Sequence, residues 1–257
     1  MSSVRGRPKL AQTEGNIRLP RVLMYHSISQ PPGYHDPLCT SPERFEAQML
    51  YLKRHNLRGV SMRELYLATR SGDAKGLVGL TFDDGYEDFL STAVPTLQKV
   101  GFSATVFVVA GMLGKENTWE HGDGPRFRLH LLEAEGVREV SERGMEVGSH
   151  SVTHPRLSGL DSETLIHEVD DSGQILSEIV NAPIEGFCYP YGDLDGPAVR
   201  TAREAGYAYA AATKRQVEGG LYDWPRTHVG EKDSPLRLGV KLKASPILAR
   251  WRRRSPG

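Results

Sequence analysis

Leu80-Thr81-Phe82-Asp83-Asp84-Gly85-Tyr86 is the stretch on which the fold turns. Ahead of it, Gly76-Leu77-Val78-Gly79 runs into Leu80 as a short apolar segment bounded by glycine, which predicts a strand buried on both faces. Behind it, Phe89, Leu90, Val94, Leu97 and Val100 recur at close to helical spacing. Two adjacent carboxylates therefore fall where a core strand gives way to a helix. In α/β folds that end of a strand faces the ligand crevice. Asp-Gly is also an ordinary turn dipeptide, so the pair decides nothing without partners elsewhere in the chain.

Outward from this stretch the same alternation repeats. Arg21 to Ser27 reads as a first buried strand ending in a polar group, and Gln30 to Cys39 as a loop. Thr40-Ser41-Pro42-Glu43 opens a helix with a capping hydroxyl and a proline in its first turn. A short strand at Leu57 to Val60 precedes the capping-box pattern Ser61-Met62-Arg63-Glu64. Ser103 to Val109 is a strand, and Ala110 to Leu132 a long loop or lid. Helices are expected at Val137 to Arg143, Asp161 to Val180 and Pro197 to Ala205. Further strands are expected at Met145 to His150, Ile184 to Tyr189, Tyr207 to Thr213 and Trp224 to Val229. Strands alternating with helices predict a mainly parallel sheet wrapped by helices, as a small (β/α) barrel or, second, an open doubly wound sheet.

The chain of 257 residues suffices for one such domain. Basic and acidic residues balance at 32 each, so no overall field points to nucleic acid or a membrane. Cys39 and Cys188 are the two cysteines, too few for a disulfide framework or a thiolate zinc site. No stretch approaches the roughly 18 apolar residues of a membrane span, and the polar, basic start carries no signal-peptide pattern. A cytoplasmic protein is the expectation. Residues 1–20 read as a disordered lead-in, 21–232 as the domain and 233–257 as a basic C-terminal tail.

Gly148-Ser149-His150-Ser151-Val152-Thr153-His154-Pro155 puts two imidazoles four residues apart at a strand end. Two surface histidines would be the commoner explanation of that spacing by itself. A third ligand changes the weighing, because Asp beside two His is the three-ligand set of a hydrolytic metal site with a position left for water. Asp83 or Asp84 could supply it, since strand ends of one barrel face converge. Phe187-Cys188-Tyr189-Pro190-Tyr191-Gly192 closes a further strand.

Taken in order, Thr81-Phe82-Asp83-Asp84-Gly85, His150-Ser151-Val152-Thr153-His154 and Pro190-Tyr191-Gly192 resemble the polysaccharide deacetylases (carbohydrate esterase family 4, the NodB-homology fold). The resemblance spans about Val22 to Val229, and Met24-Tyr25-His26-Ser27 looks like the opening of its branch with permuted motif order. It implies a distorted (β/α) barrel of about seven parallel strands. It also implies removal of N- or O-acetyl groups from sugar polymers. Carried over, it makes Asp83 the general base and Asp84, His150 and His154 the ligands of one divalent metal, Zn first, with Co or Ni as alternatives. The chemistry agrees: a carboxylate on a cation loses basicity, so its free neighbour takes the proton. Pro190 and Tyr191 would form the oxyanion site, through the Tyr191 backbone N–H.

The chain departs from the family twice. Many relatives carry an arginine where this chain has Cys188, and Arg226 is the candidate to reach Asp83 instead. A late Leu-x-x-His motif is missing, which leaves His26, ahead of His228, as candidate general acid. Trp119, with His121 and Asp123 in the long loop, is a candidate sugar-binding wall. His35, His55, His121, His130 and His167 read as loop or helix-surface residues. The run Lys241 to Arg254 around Trp251 is an ordinary solvated face or, as a lesser alternative, a contact with an anionic membrane surface. The expected partner is an N-acetylated saccharide. The alternatives are hydrolysis of another amide or an O-acetyl ester, and a non-catalytic carbohydrate-binding relative.

Overall fold

Val22–Tyr25 (β1) is the first buried strand of the computed structural model, which describes residues 19–30, 38–119, 128–214, 217 and 219–248. It is followed by α1 (Pro42–Arg54), β2 (Arg58–Val60), α2 (Met62–Ser71), β3 (Leu77–Phe82), α3 (Val94–Val100) and β4 (Thr105–Val108). Next come α4 (Ala134–Glu142), β5 (Glu146–Ser149), α5 (Ser162–Ile166), α6 (Ser172–Val180), β6 (Gly186–Cys188), α7 (Gly196–Glu204) and β7 (Tyr209–Ala212). Two short strands, β8 (Trp224–Pro225) and β9 (Thr227–His228), and the helix α8 (Pro235–Leu248) end the described chain.

Local chemistry accounts for several of these boundaries. Ser41 caps α1 by accepting from the Arg44 N–H, and Pro42 fills the first turn. Ser61 caps α2 by accepting from the Glu64 N–H, but the reciprocal half of the capping box is not made. The Ser61 N–H instead donates to Ser103 Oγ, whose hydroxyl donates to Glu64. A hydroxyl from the strand-side loop has replaced the carboxylate and ties α2 to the sheet.

The strands pair in parallel in the order β8-β7-β6-β5-β4-β3-β1-β9, with β2 added on β3. β8 pairs with β7 and β9 with β1, and only Arg226 separates β8 from β9. One interrupted passage therefore closes the ring. The result is a nearly closed, distorted (β/α) barrel rather than an open doubly wound sheet. Closure is needed because the strands are apolar on both faces, the helices covering one side and the barrel interior the other. The single strand expected at Trp224 to Val229 is split at Arg226, whose side chain turns inward beneath the site.

Two expectations change. The Ala110 to Leu132 segment is pinned along its described parts by a short 3₁₀ turn, Ala110–Met112, and by antiparallel bridges Tyr86↔Leu131 and Glu116↔His130. His121 and Asp123 lie outside the described residues. The segment 233–257, set aside as a tail, contains α8, whose Leu238 and Leu242 are buried in the main core. The apolar spacing Leu238, Leu242 marks that inner face. Arg250, Trp251 and Arg252–Arg254, on which a membrane contact would rest, lie outside the described residues, as do 1–18 of the lead-in. Among the described residues no helix is long and apolar enough to cross a membrane.

Candidate active site

All strands run the same way, so residues just past their ends gather on one face. There Met24, His26, Asp83, Asp84, His150, His154, Tyr191, Thr213 and His228 line a cavity of about 360 Å³. The backbone is unusual at this face. Asp84, Ser151, His154 and Tyr191 all have positive φ, between 60° and 75°, although none is glycine. Non-glycine residues hold that conformation where the surroundings fix it, commonly at functional sites. Gly85, at φ 76°, continues the turn after Asp84, and a Cβ there would press on Val108 at 3.3 Å.

Asp84, His150 and His154 offer ligand atoms that all lie within 4.8 Å of one another, and all three are buried. Asp84 Oδ1 lies 3.5 Å from His150 Nε2 and 3.3 Å from His154 Nε2. His150 Nδ1 is 2.8 Å from the Cys188 carbonyl, which can only accept, so Nδ1 carries a proton and Nε2 is the nitrogen turned toward Asp84. Burial opposes charge on His150, yet the neighbouring carboxylates of Asp84 and Asp83 hold its pKa above the ordinary value. Burial likewise raises Asp84, but bonds from His150 and His154 outweigh it and hold the carboxyl well below its usual range. The donor set, one oxygen and two imidazole nitrogens within 4.8 Å of one another, fits a divalent metal of the zinc type.

Asp83 has a different environment. Arg226 grips it in a fork, Nη1 to Oδ1 at 2.5 Å and Nη2 to Oδ2 at 2.7 Å. The same guanidinium bonds Thr81 Oγ1, the Ala212 carbonyl and the Cys188 sulfur, and lies over the Phe107 ring. Burial would raise the Asp83 pKa, but Arg226 lowers it below the usual value and keeps the group ionised. Cys188 thus sits against the arginine that serves Asp83 from β8–β9. Burial pushes its thiol up, against the pull of Arg226, so it is a buried thiol rather than a thiolate.

His26 Nε2 lies 4.0 Å from Asp83 Oδ2, and its ring is 6.2 Å from that of His228. Burial pushes the His26 pKa down to about 4, with Asp83 opposing. Its loop is pinned by Asp88, which accepts from Ser27 Oγ at 2.5 Å and from the Ile28 N–H at 2.9 Å. Pro190 is buried, while Tyr191 is 37% exposed, packs edge-on against His154 and lies under Arg156. Gly192 closes that turn at φ 65°, where any Cβ would overlap Thr213.

Trp119 is only 9% exposed and stacks on His154, with ring centroids 4.3 Å apart. That ring face is covered by the His154 imidazole. His55, His130 and His167 are exposed, away from the cavity, and His35 lies outside the described residues. Sequence reasoning passed over the Cys188 carbonyl, Asp88 and Glu168, a buried carboxylate behind the His150–His154 turn. Glu168 left a readable trace: it falls on the same helix stripe as Leu165, Val169 and Leu176, where an acid needs a reason to be.

The chain is similar to known proteins over most of its length. A family model described as polysaccharide deacetylase matches residues 70–210, more than half of the chain. YxkH of Bacillus subtilis, named for the same family, is 27% identical over 238 residues, covering 91% of this chain and 79% of its own. The poly-β-1,6-N-acetyl-D-glucosamine N-deacetylase of Staphylococcus aureus is 25% identical over 187 residues, 69% of this chain and 62% of that relative's length. Among solved structures, the Streptococcus pyogenes deacetylase PplD in complex with acetate superposes with a TM-score of 0.74 at 26% identity, over 87% of this chain and 97% of that one. IcaB from Ammonifex degensii has the same fold, with a TM-score of 0.72 at 23% identity over 87% and 97% of the two chains.

Proposed function

Because the chain belongs to the polysaccharide deacetylase family, a family of hydrolases acting on carbon–nitrogen bonds other than peptide bonds, we propose that it removes the N-acetyl group of an N-acetylated sugar or polysaccharide, releasing acetate and a free amine. The observation that carries this reading is the pair of adjacent carboxylates with opposite partners. Asp84 faces two imidazoles, while Asp83 faces an arginine, in one cavity. A binding module would need neither the second carboxylate nor its buried fork.

Asp84, His150 and His154 would hold one divalent cation, zinc by its donor set, whose role when bound is to acidify a water and polarise the acetyl carbonyl. Asp83, ionised and aimed by Arg226, accepts the proton of the attacking water. The Tyr191 backbone N–H, in the Pro190–Gly192 turn, donates to the oxygen that becomes negative. The departing nitrogen must gain a proton, because an amide anion is a very poor leaving group. His26 is held neutral by burial, so it serves by relaying the proton that Asp83 has taken, across the 4.0 Å between them. His228, on the same wall, is the alternative donor. The substrate is of the class that the Staphylococcus aureus relative's name describes, a β-1,6-linked N-acetylglucosamine chain or its fragments.

The test is acetate release from a panel of N-acetylated saccharides, including β-1,6-linked N-acetylglucosamine oligomers, by zinc-loaded protein. Asp83→Asn is expected to retain metal and lose at least about 10²-fold in rate, the range of a general base. A metal-loaded wild-type chain that releases acetate from none of the panel would sink the proposal.

A further inference from the structure

Glu168 stands on the buried stripe of the helix that runs from α5 through the π-turn His167–Asp171 into α6. Leu165, Val169 and Ser172 flank it there, and it is 4% exposed. An ionised carboxylate in such a position is costly unless hydrogen bonds surround it. Its bonds run to a single turn. Oε2 accepts from the backbone N–H groups of Val152 and Thr153, both at 2.9 Å, and Oε1 accepts from Thr153 Oγ1 at 2.6 Å.

Val152 and Thr153 are the two residues between Ser151 and His154, which both sit at φ 67°. The turn that delivers His154 is thus pinched at each end into the left-handed region, where neither residue rests by itself. The other side of the turn is held as well. The Ser151 and Val152 carbonyls accept from the N–H groups of Ala110 and Gly111 at 3.0 and 2.8 Å, and Ser151 Oγ accepts from the His154 N–H at 2.9 Å. The helix beneath is fixed in turn. The Val169 carbonyl, inside the π-turn, accepts from Tyr207 Oη at 2.7 Å and Ser172 Oγ at 2.9 Å. π-turns are rare and concentrate where a helix must present a particular group.

We propose that Glu168 is a positioning residue for the metal centre: its carboxylate clamps the Ser151–His154 turn so that His154 meets Asp84 and His150 in ligand geometry. This rests on the reading of that triad as a metal site. Glu168 touches neither cation nor substrate. Without it, the Val152 and Thr153 N–H groups lose their acceptor, the turn relaxes out of its left-handed conformation, and His154 Nε2 leaves the position facing Asp84. His150, held from β5 and by the Cys188 carbonyl, stays in place.

The experiment titrates metal-free protein with Zn²⁺ against a competing chromophoric chelator and records the visible spectrum after loading with Co²⁺. Glu168→Ala is expected to bind Zn²⁺ about 10–100-fold more weakly, the usual effect of removing a group that orients a ligand. Its Co²⁺ bands should also weaken, as expected when an imidazole is lost. Glu168→Gln, which keeps the length and one acceptor oxygen for the two N–H groups, is expected to recover most of the affinity. Should Glu168→Ala fail to fold, Glu168→Asp, with its oxygens withdrawn by one methylene, is expected to fall between the two. Wild-type affinity and spectrum in Glu168→Ala or Glu168→Asp, with only the melting temperature lowered, would overturn the proposal and leave a purely structural role. A wild-type chain that takes up no divalent cation overturns it together with the metal-site reading. Weakened uptake by Glu168→Ala in a protein that releases no acetate supports it while sinking the deacetylase assignment.

Discussion

Asp83 and Asp84 are adjacent in sequence and chemically alike, and their partners alone make them different. Asp84 looks at two imidazoles and Asp83 at a guanidinium fork. The fork matters more than the charge, because a lysine could neutralise Asp83 but could not hold both oxygens and the Thr81 hydroxyl at once. Arg226→Lys is therefore expected to fold and to lose about 10²-fold in kcat/KM, the scale of a small misalignment of a catalytic group. Arg226→Met goes further, leaving a buried carboxylate unpaired at a cost of about 3–5 kcal/mol. The sign of its pH effect follows from the pair. Arg226 holds the Asp83 pKa below its ordinary value, so its removal raises that pKa. The acid limb of the kcat/KM profile should then move to higher pH. An acid limb in Arg226→Met that coincides with the wild type, or lies below it, would separate Asp83 from the observed ionisation.

At the scale of elements, the strand ends carry the chemistry, and the strand starts carry a second polar cluster with a different consequence. Glu146 begins β5 at the opposite mouth of the barrel. There it accepts from Thr105 Oγ1 at 2.6 Å and the Arg63 N–H at 2.8 Å, and it contacts the Tyr209 hydroxyl. Burial pushes its pKa from 4.5 to about 7, with the Thr105 and Arg63 bonds opposing and Glu185 adding to the rise. The folded value lies above the unfolded one, so the protonated group favours folding below about 4.5, and that contribution is lost as pH rises to about 7. Glu146 is half-buried rather than fully enclosed. The effect is accordingly discounted to on the order of 2 kcal/mol. Denaturant midpoints measured from pH 4.5 to 8 should show that fall in the wild type and a flatter profile in Glu146→Gln. Equal slopes in the two proteins would mean that Glu146 is not the group responsible. This cluster was hidden in the sequence, because Met145-Glu146-Val147 looks like any strand whose acid faces water. The gathering of Asp and His at the other end was legible, because strand-to-helix junctions rich in those residues can be read one at a time. What could not be read there was reach: that the Cys188 carbonyl orients His150, that Trp119 stacks on His154, and that Glu168 clamps their turn are all contacts across elements.

For the whole molecule, the barrel was foreseeable from the count and polarity of its strands, whereas its seam was not. Two dipeptide strands around Arg226 carry too little pattern to announce that they close a ring. The seam is fastened from outside by groups distant in sequence. Gln48 on α1 accepts from Tyr25 Oη of β1 at 3.1 Å and donates to the Asp233 carbonyl at 2.7 Å, just after β9. Asp233 in turn takes the Gly230 N–H at 3.0 Å and the Lys241 ammonium at 2.7 Å, which holds α8 against α1. Leu238 and Leu242 then seal the joint within the core. Lys, Arg and proline around α8 made it look like a solvated tail, because two apolar anchors four residues apart say little until a surface is found for them. The last step of closure therefore depends on residues beyond the catalytic motifs. Leu238→Ala should cost about 2–5 kcal/mol, the range for emptying a buried leucine site, and lower the melting temperature by about 2–4 °C for each kcal/mol. Removal of 249–257 should leave the melting temperature in place, since Leu238 and Leu242 remain. If the short truncation destabilises as much as Leu238→Ala, the anchor of the seam lies farther along the chain than α8.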